Sequence, residues 1–173
     1  MSDLAKTQLP TTNALVLERQ DSVLKVWFNR PEAKNALNTE MTDELVSVLS
    51  LVKDDRSIRT IVLRGKGGVF CAGGDIKGFK SDMQSTDADE VAKGNRSFGD
   101  VMIMLNEQPQ VVIILVEGAA IGGGLGLACV ADVTLVTADA RFRLSETSLG
   151  IPPAQIAPFV TCLLYTSPSP RDG

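Results

Sequence analysis

The stretch from Val111 to Leu127, VVIILVEGAAIGGGLGL, runs a β-branched apolar segment into three consecutive glycines. It restricts the chain to folds that bury a strand and then turn at once into a helix. Gly122, Gly123 and Gly124 have no Cβ, so a ligand can approach their backbone closely, and the first N–H groups of the helix have no intrahelical partner. Such a turn can hold an anion or a developing oxyanion, and it can equally be a tight packing turn. A membrane helix would suit the small-xxx-small spacing of GAAIG and GGGLG. It is discounted because Glu117 and Asp132 bracket a charge-free run shorter than the ~18 residues a span needs.

With 173 residues and 44 % hydrophobic content, the chain can bury one sizeable core, and one domain is expected. There are 17 basic and 21 acidic residues, a formal charge of −4, and no basic tract, which argues against nucleic acid as a partner. The absence of histidine excludes Ser-His-Asp and Cys-His nucleophile systems, so any catalysis must rest on carboxylates and backbone donors. Cys71, Cys129 and Cys162 are odd in number and lack CxxC spacing, which points to neither a disulfide framework nor a zinc site; no metal is expected. A reducing compartment follows, and the leader of residues 1–13 lacks a secretory apolar core, so a cytoplasmic location is expected.

Along the chain, Ala14–Glu18 and Val23–Phe28 read as a hairpin. Thr39 is placed to cap a helix whose Met41, Leu45, Val48, Leu49 and Val52 form one apolar stripe. Ile58–Leu63 reads as a buried strand running into a second glycine-rich loop, GKGGVFCAGGDIKGF. Ser81–Glu90 reads as a polar surface loop, and Val91–Leu105 as helical. A helix is expected over about Gly124–Val130, a strand over Asp132–Thr137 and a loop over Phe142–Ile151. Alternating strands and helices argue an α/β fold. Neither glycine loop completes GxGxxG or GxxxxGK[ST], which weakens a Rossmann or P-loop reading.

FCAGGDIKGF, GAAIGGGLGLACVADVTLV, NRPEAKNALN near the start and SETSLG near the end, in that order, resemble the crotonase (enoyl-CoA hydratase/isomerase) superfamily. The likeness runs from Leu15 to about Thr161 and implies a repeated ββα spiral, an α/β fold whose C-terminal helical part is missing here. It implies that an acyl-CoA thioester oxygen sits between two backbone N–H groups, at Gly74 and Gly123, and that donors fixed in advance stabilise the enolate-like state. One such donor is worth roughly 3–4 kcal/mol. A β-branched side chain at Gly123 is expected to intrude where that carbonyl sits. By the same resemblance, the backbone around Ala33, Lys34, Ala72, Asp75 and Ile76 lines the CoA groove, and Lys34 and Lys77 approach the phosphates. Read without the resemblance, both lysines are solvated surface charges.

Two-glutamate hydratases of this superfamily carry one acid/base on the helix after the triple glycine and another in the loop that here reads RLSETSLG. The second corresponds to Glu146; the first is Gly126, which cannot move a proton and is expected to make room for a larger acyl group. By composition alone Glu146 would be an exposed loop carboxylate; in the family slot it is the general acid or base. A single glutamate fits double-bond isomerases, acyl-CoA hydrolases and branched-chain hydratases, and also a non-catalytic acyl-CoA binder. SLGIPPAQIAPFV is most similar to glutaconyl-CoA-type hydratases, acting on 3-methylglutaconyl-CoA or its isohexenyl analogue. Ala154 stands where the hydrolase branch usually has an aspartate. The implied reaction is hydration of a branched enoyl-CoA, with coenzyme A carried by the substrate and no separate cofactor. The resemblance also implies a homotrimeric or hexameric parent protein.

From Cys162 onward the composition and the likeness both break, and CLLYTSPSPRD, read back into codons, matches a transposase sequencing adapter translated in frame. The expected organisation is a leader (1–13), an incomplete core (14–161) and a non-native tail (162–173), the piece itself being inactive.

Overall fold

The alternation in VLKVWF becomes strand β2, Val23–Phe28, which turns Leu24, Val26 and Phe28 inward and leaves Lys25 and Trp27 on the other face. The structure, a computed structural model, describes residues 7–75, 98–146 and 152–166. Strand β1 (Leu15–Gln20) pairs antiparallel with β2 through a turn at Asp21, whose φ of 53° is left-handed. β3 (Thr60–Gly65), β4 (Val111–Val116) and β6 (Val133–Val136) follow in parallel, giving the order β1-β2-β3-β4-β6. The register sets Leu24 beside Ile61 and Val26 beside Leu63, then Ile61 beside Val112 and Leu63 beside Ile114. All of these are buried, so one continuous apolar face results.

That face is covered by α1 (Thr39–Val52) and by a helix, α2, whose described part is residues 98–106. Met41, Leu45, Val48, Leu49 and Val52 are the buried stripe of α1, as the spacing requires. The cap is Asn38, one residue earlier than expected: its extended backbone lets the side-chain oxygen accept from Met41 N at 3.0 Å, while Thr39 is the first helical residue. Glu44 ties α1 to the sheet, accepting from the backbone N–H of Asn13 and Leu15 at 2.7 and 2.9 Å. On the opposite face Arg64 lies over the Trp27 ring at 4.7 Å and forks onto Glu117 at 2.6 and 2.8 Å. Leu135 and Val136 of β6 are 55 % and 54 % exposed, so this edge carries uncovered apolar surface.

The expected α/β layout is present, with three departures. A short strand β5 (Ala119–Ile121) precedes the glycine helix α3 (Gly123–Val130) and pairs in parallel with β7 (Arg141–Arg143), making a second sheet. β7 takes in Phe142 and Arg143, the first residues of the stretch expected to be a loop. A last helix, α4 (Ala157–Thr166), follows Pro152 and Pro153. Ser81–Glu90 lies outside the described residues. Among the described residues no helix is long and apolar enough to cross a membrane.

Asp55 anchors the start of β3. It accepts from Ser57 N at 2.8 Å and from the Ser57 hydroxyl, with Arg19 Nη1 at 3.4 Å. Hydrogen bonds from Ser57, then Thr7, hold its carboxyl well below the usual range against the opposing effect of burial. A depressed folded-state pKa contributes stability above the unfolded carboxylate value, and that contribution is lost as pH falls below about 4. Asp55→Asn is therefore expected to cost about 1–2 kcal/mol at pH 7 and progressively less toward pH 2, read from urea midpoints. An equal loss at both pH values would contradict this role.

Candidate functional site

The two glycine loops are brought together by a single parallel bridge. Cys71 N donates to Ala119 O at 3.0 Å and Ile121 N to Cys71 O at 2.9 Å, so the segment after β3 runs alongside β5. Its other edge meets residues 34–37: Ala72 N donates to Lys34 O at 3.0 Å, Leu37 N to Gly73 O at 2.7 Å and Asp75 N to Leu37 O at 2.8 Å. In a parallel bridge the residue opposite takes no part in these bonds. The N–H of Gly74, bridged to Leu37, is consequently turned to the edge on which β5 enters α3.

Gly123 opens α3, and its N–H is one of the orphan donors of a first helical turn. Neither Gly74 N nor Gly123 N donates to any group among the described residues. The chain enters this turn through Gly122, which has φ 49° and ψ −117° and donates its N–H to Arg143 O at 2.8 Å. β7 therefore holds the turn from beyond.

Glu146 comes up against the same turn. A Cβ on Gly122 would stand 2.8 Å from Glu146 Oε1 and 2.9 Å from Ser145 Oγ, so the carboxylate rests directly on the glycine backbone. Its Oε2 is buried and has no hydrogen-bond partner among the described residues. Buried oxygens are normally satisfied, so a carboxylate oxygen with no partner among the described residues marks Glu146 as a candidate functional group.

Two expectations about glycines are corrected. A Cβ on Gly123 would point at Leu37 Cδ1 and Phe98 Cζ, both 3.0 Å away, so a side chain there collides with the core and not with a carbonyl. Gly126 does not leave open space for an acyl group: a Cβ there would lie 2.4 Å from Ile156 Cγ2 and 3.1 Å from Met102 Cε. Ile156 of the turn before α4 and Met102 of α2 fill the place, both buried. Gly126→Glu is thus expected to cost about 3 kcal/mol or more in a urea titration, through overpacking and a buried charge, and to restore no second acid. A stable, more active Gly126→Glu protein would refute this packing.

Ala33 ends a short 3-10 turn, Pro31–Ala33, and is half-buried, while Lys34 is exposed with a left-handed φ of 52°. With half-buried Ala72 they lie along one edge of the Gly74 loop, joined by the Ala72–Lys34 hydrogen bond. The Asp75 carboxylate is held in an ion pair with Arg30 at 2.9 Å. Ile76 and Lys77 lie outside the described residues. Sequence reasoning missed Arg30 and the buried Asn35, which accepts from Arg30 N at 2.9 Å and donates to Lys66 O and Val69 O at 2.8 and 2.6 Å. An asparagine after lysine in a turn is the available signal, since it tolerates the left-handed φ of 54° seen here.

Burial pushes the Cys71 thiol up to about 12, opposed weakly by the Gly73 N–H 3.4 Å from its sulfur. A thiol reagent at pH 8 is expected to modify exposed Cys162 and to spare Cys71 until the chain is unfolded. Mass mapping of the modified peptides checks this, and rapid native labelling of Cys71 would contradict its burial.

Residues 18–162 match the sequence profile described as enoyl-CoA hydratase/isomerase. The chain belongs to that family. Within it, the chain is 50 % identical to Pseudomonas aeruginosa AtuE, superposing with a TM-score of 0.84 over 87 % of this chain and 58 % of that one. It is 35 % identical to the short-chain-enoyl-CoA hydratase of Clostridium acetobutylicum, over 82 % of this chain and 53 % of the relative. It is 32 % identical to the mitochondrial Delta(3,5)-Delta(2,4)-dienoyl-CoA isomerase of Rattus norvegicus, over 79 % and 44 % respectively. The chain therefore spans about half the length of the curated relatives it matches. The superposition on AtuE supports the same mixed α/β fold.

Proposed function

We propose that this chain carries the acyl-CoA site of an enzyme that adds water across the α,β double bond of a branched enoyl-CoA. The observation that carries the reading is that the Cys71–Ala120 bridge joins the loops of Gly74 and Gly123, whose N–H groups have no acceptor among the described residues, while Glu146, with an oxygen also unpartnered among them, lies against Gly122 of the same turn. The N–H pair would hold the thioester oxygen as it gains charge when water adds at the β carbon. Glu146 would manage the proton: one leaves the attacking water and one is delivered to the α carbon, so the C=C π bond is exchanged for C–O and C–H bonds. Ala33, Lys34, Ala72, Asp75, Ile76 and Lys77 would line the coenzyme A portion, with the lysines toward its phosphates. Coenzyme A arrives as part of the substrate, and no separate cofactor is required by this chemistry. We further propose a branched, glutaconyl-type acyl group, a trimeric or hexameric parent protein and a cytoplasmic location.

One observation favours a second reading. Because Ile156 and Met102 occupy the space beside Gly126, Glu146 is the one carboxylate against the glycine turn among the described residues. A single carboxylate suffices to move a proton from one carbon to another, which is double-bond isomerisation. Mixing a version extended to the length of its relatives with glutaconyl, crotonyl and β,γ-enoyl thioesters separates the two. Hydration removes conjugation from the α,β-enoyl thioesters, and isomerisation creates it in the β,γ-enoyl ones. No spectral change with any of them, despite binding, would leave only an acyl-CoA binder.

A further inference from the structure

We propose that Arg30 is a positioning residue for the Gly74 donor, acting through Asp75 and Leu37; the proposal rests on the oxyanion reading above. Its guanidinium reaches two acceptors in different segments, Asp75 Oδ2 at 2.9 Å and Ala36 O at 2.6 Å. These residues are the chain neighbours of Gly74 and Leu37, the bridged pair whose backbone bonds turn the Gly74 N–H toward α3. A planar fork sets both separation and angle between two acceptors, which a point charge does not.

Arg30 is itself fixed from behind. Its N–H donates to Asn35, and Asn35 is held by the carbonyls of Lys66 and Val69 at the end of β3. The same turn also reaches the second donor, because the Leu37 side chain lies against Gly123, where a Cβ would be 3.0 Å from Leu37 Cδ1. Leu37 thus touches one donor loop with its backbone and the other with its side chain, and Arg30 sets how the first of these is presented. Both partners of the ion pair are 20 % exposed, so the fork is largely shielded from water and held in one geometry. Its consequence is geometric, and donor placement is where small displacements matter most.

The test reads the carbonyl, not turnover. Crotonyl-CoA bound to the 173-residue chain is expected to show its thioester C=O stretch moved to lower frequency in infrared difference spectra. In Arg30→Met most of that shift should vanish, with free CoA bound as tightly as by the parent chain, and Arg30→Lys should retain an intermediate shift. A full shift in folded Arg30→Met overturns the proposal. So does a parallel loss of shift and of free-CoA affinity, which would make the ion pair a general support of the loop. Should Arg30→Met not fold, Arg30→Lys decides, a full shift there again counting against the role. No shift in the parent chain would overturn the oxyanion reading itself, an outcome distinguishable from the others because it precedes any substitution.

Discussion

Glu146→Gln is expected to lower turnover of an enoyl thioester by about 10²-fold or more while acyl-CoA affinity changes little. Glutamine keeps the length and planarity of the side chain, so its contact with the Gly122 backbone can be retained. What it loses is the capacity to accept and return a proton. The same substitution tests the isomerase reading, since a lone carboxylate shuttling one proton would be still less replaceable. A bland structural role makes a different prediction. Were Glu146 only a packing carboxylate, the isosteric glutamine would fill the same space and leave turnover untouched. Steady-state rates on a version extended to the length of its relatives, with CoA competition for affinity, separate these outcomes. Unchanged turnover removes Glu146 from the mechanism.

The elements legible in the sequence were those with strong local periodicity. The α1 stripe, the alternating β2 and the existence of β4 were readable, the first two from helical and alternate spacing and the last from an unbroken β-branched apolar run. The cap of α1 was missed by one residue because Asn38 and Thr39 are both good caps, and only backbone conformation chooses between them. β5 and β7 are three residues each and owe their pairing to one another across the intervening helix, which no local pattern encodes. α4 was hidden by Pro158, which reads as a breaker yet is tolerated in a first helical turn. At the site, the glycines announced themselves as turns, whereas Glu146 was singled out by family likeness alone. The occupant of the Gly126 space and the Arg30–Asp75 pair are contacts between residues 30 and 45 positions apart. Such contacts depend on how the loops cross, which a single sequence does not specify.

Gly122→Ala is the substitution expected to do most damage for its size. With φ 49° and ψ −117° the residue occupies backbone space that side-chain-bearing residues rarely enter, so a single methyl is expected to cost about 1–3 kcal/mol in strain. The new Cβ would also stand within 2.8 Å of Glu146 Oε1 and 2.9 Å of Ser145 Oγ. One of these side chains must withdraw, and a displaced carboxylate then leaves its contact with the glycine turn. Turnover is therefore expected to fall by about 10²-fold, as for Glu146→Gln, together with a lowered urea midpoint. Because both substitutions would act on the same carboxylate, their effects on turnover should not add. In the Glu146→Gln background, adding Gly122→Ala should change the residual rate little, although the stability cost remains. A Gly122→Ala effect of equal size in both backgrounds would show that the contact between Gly122 and Glu146 has no part in the chemistry, and the carboxylate would have to act from somewhere else.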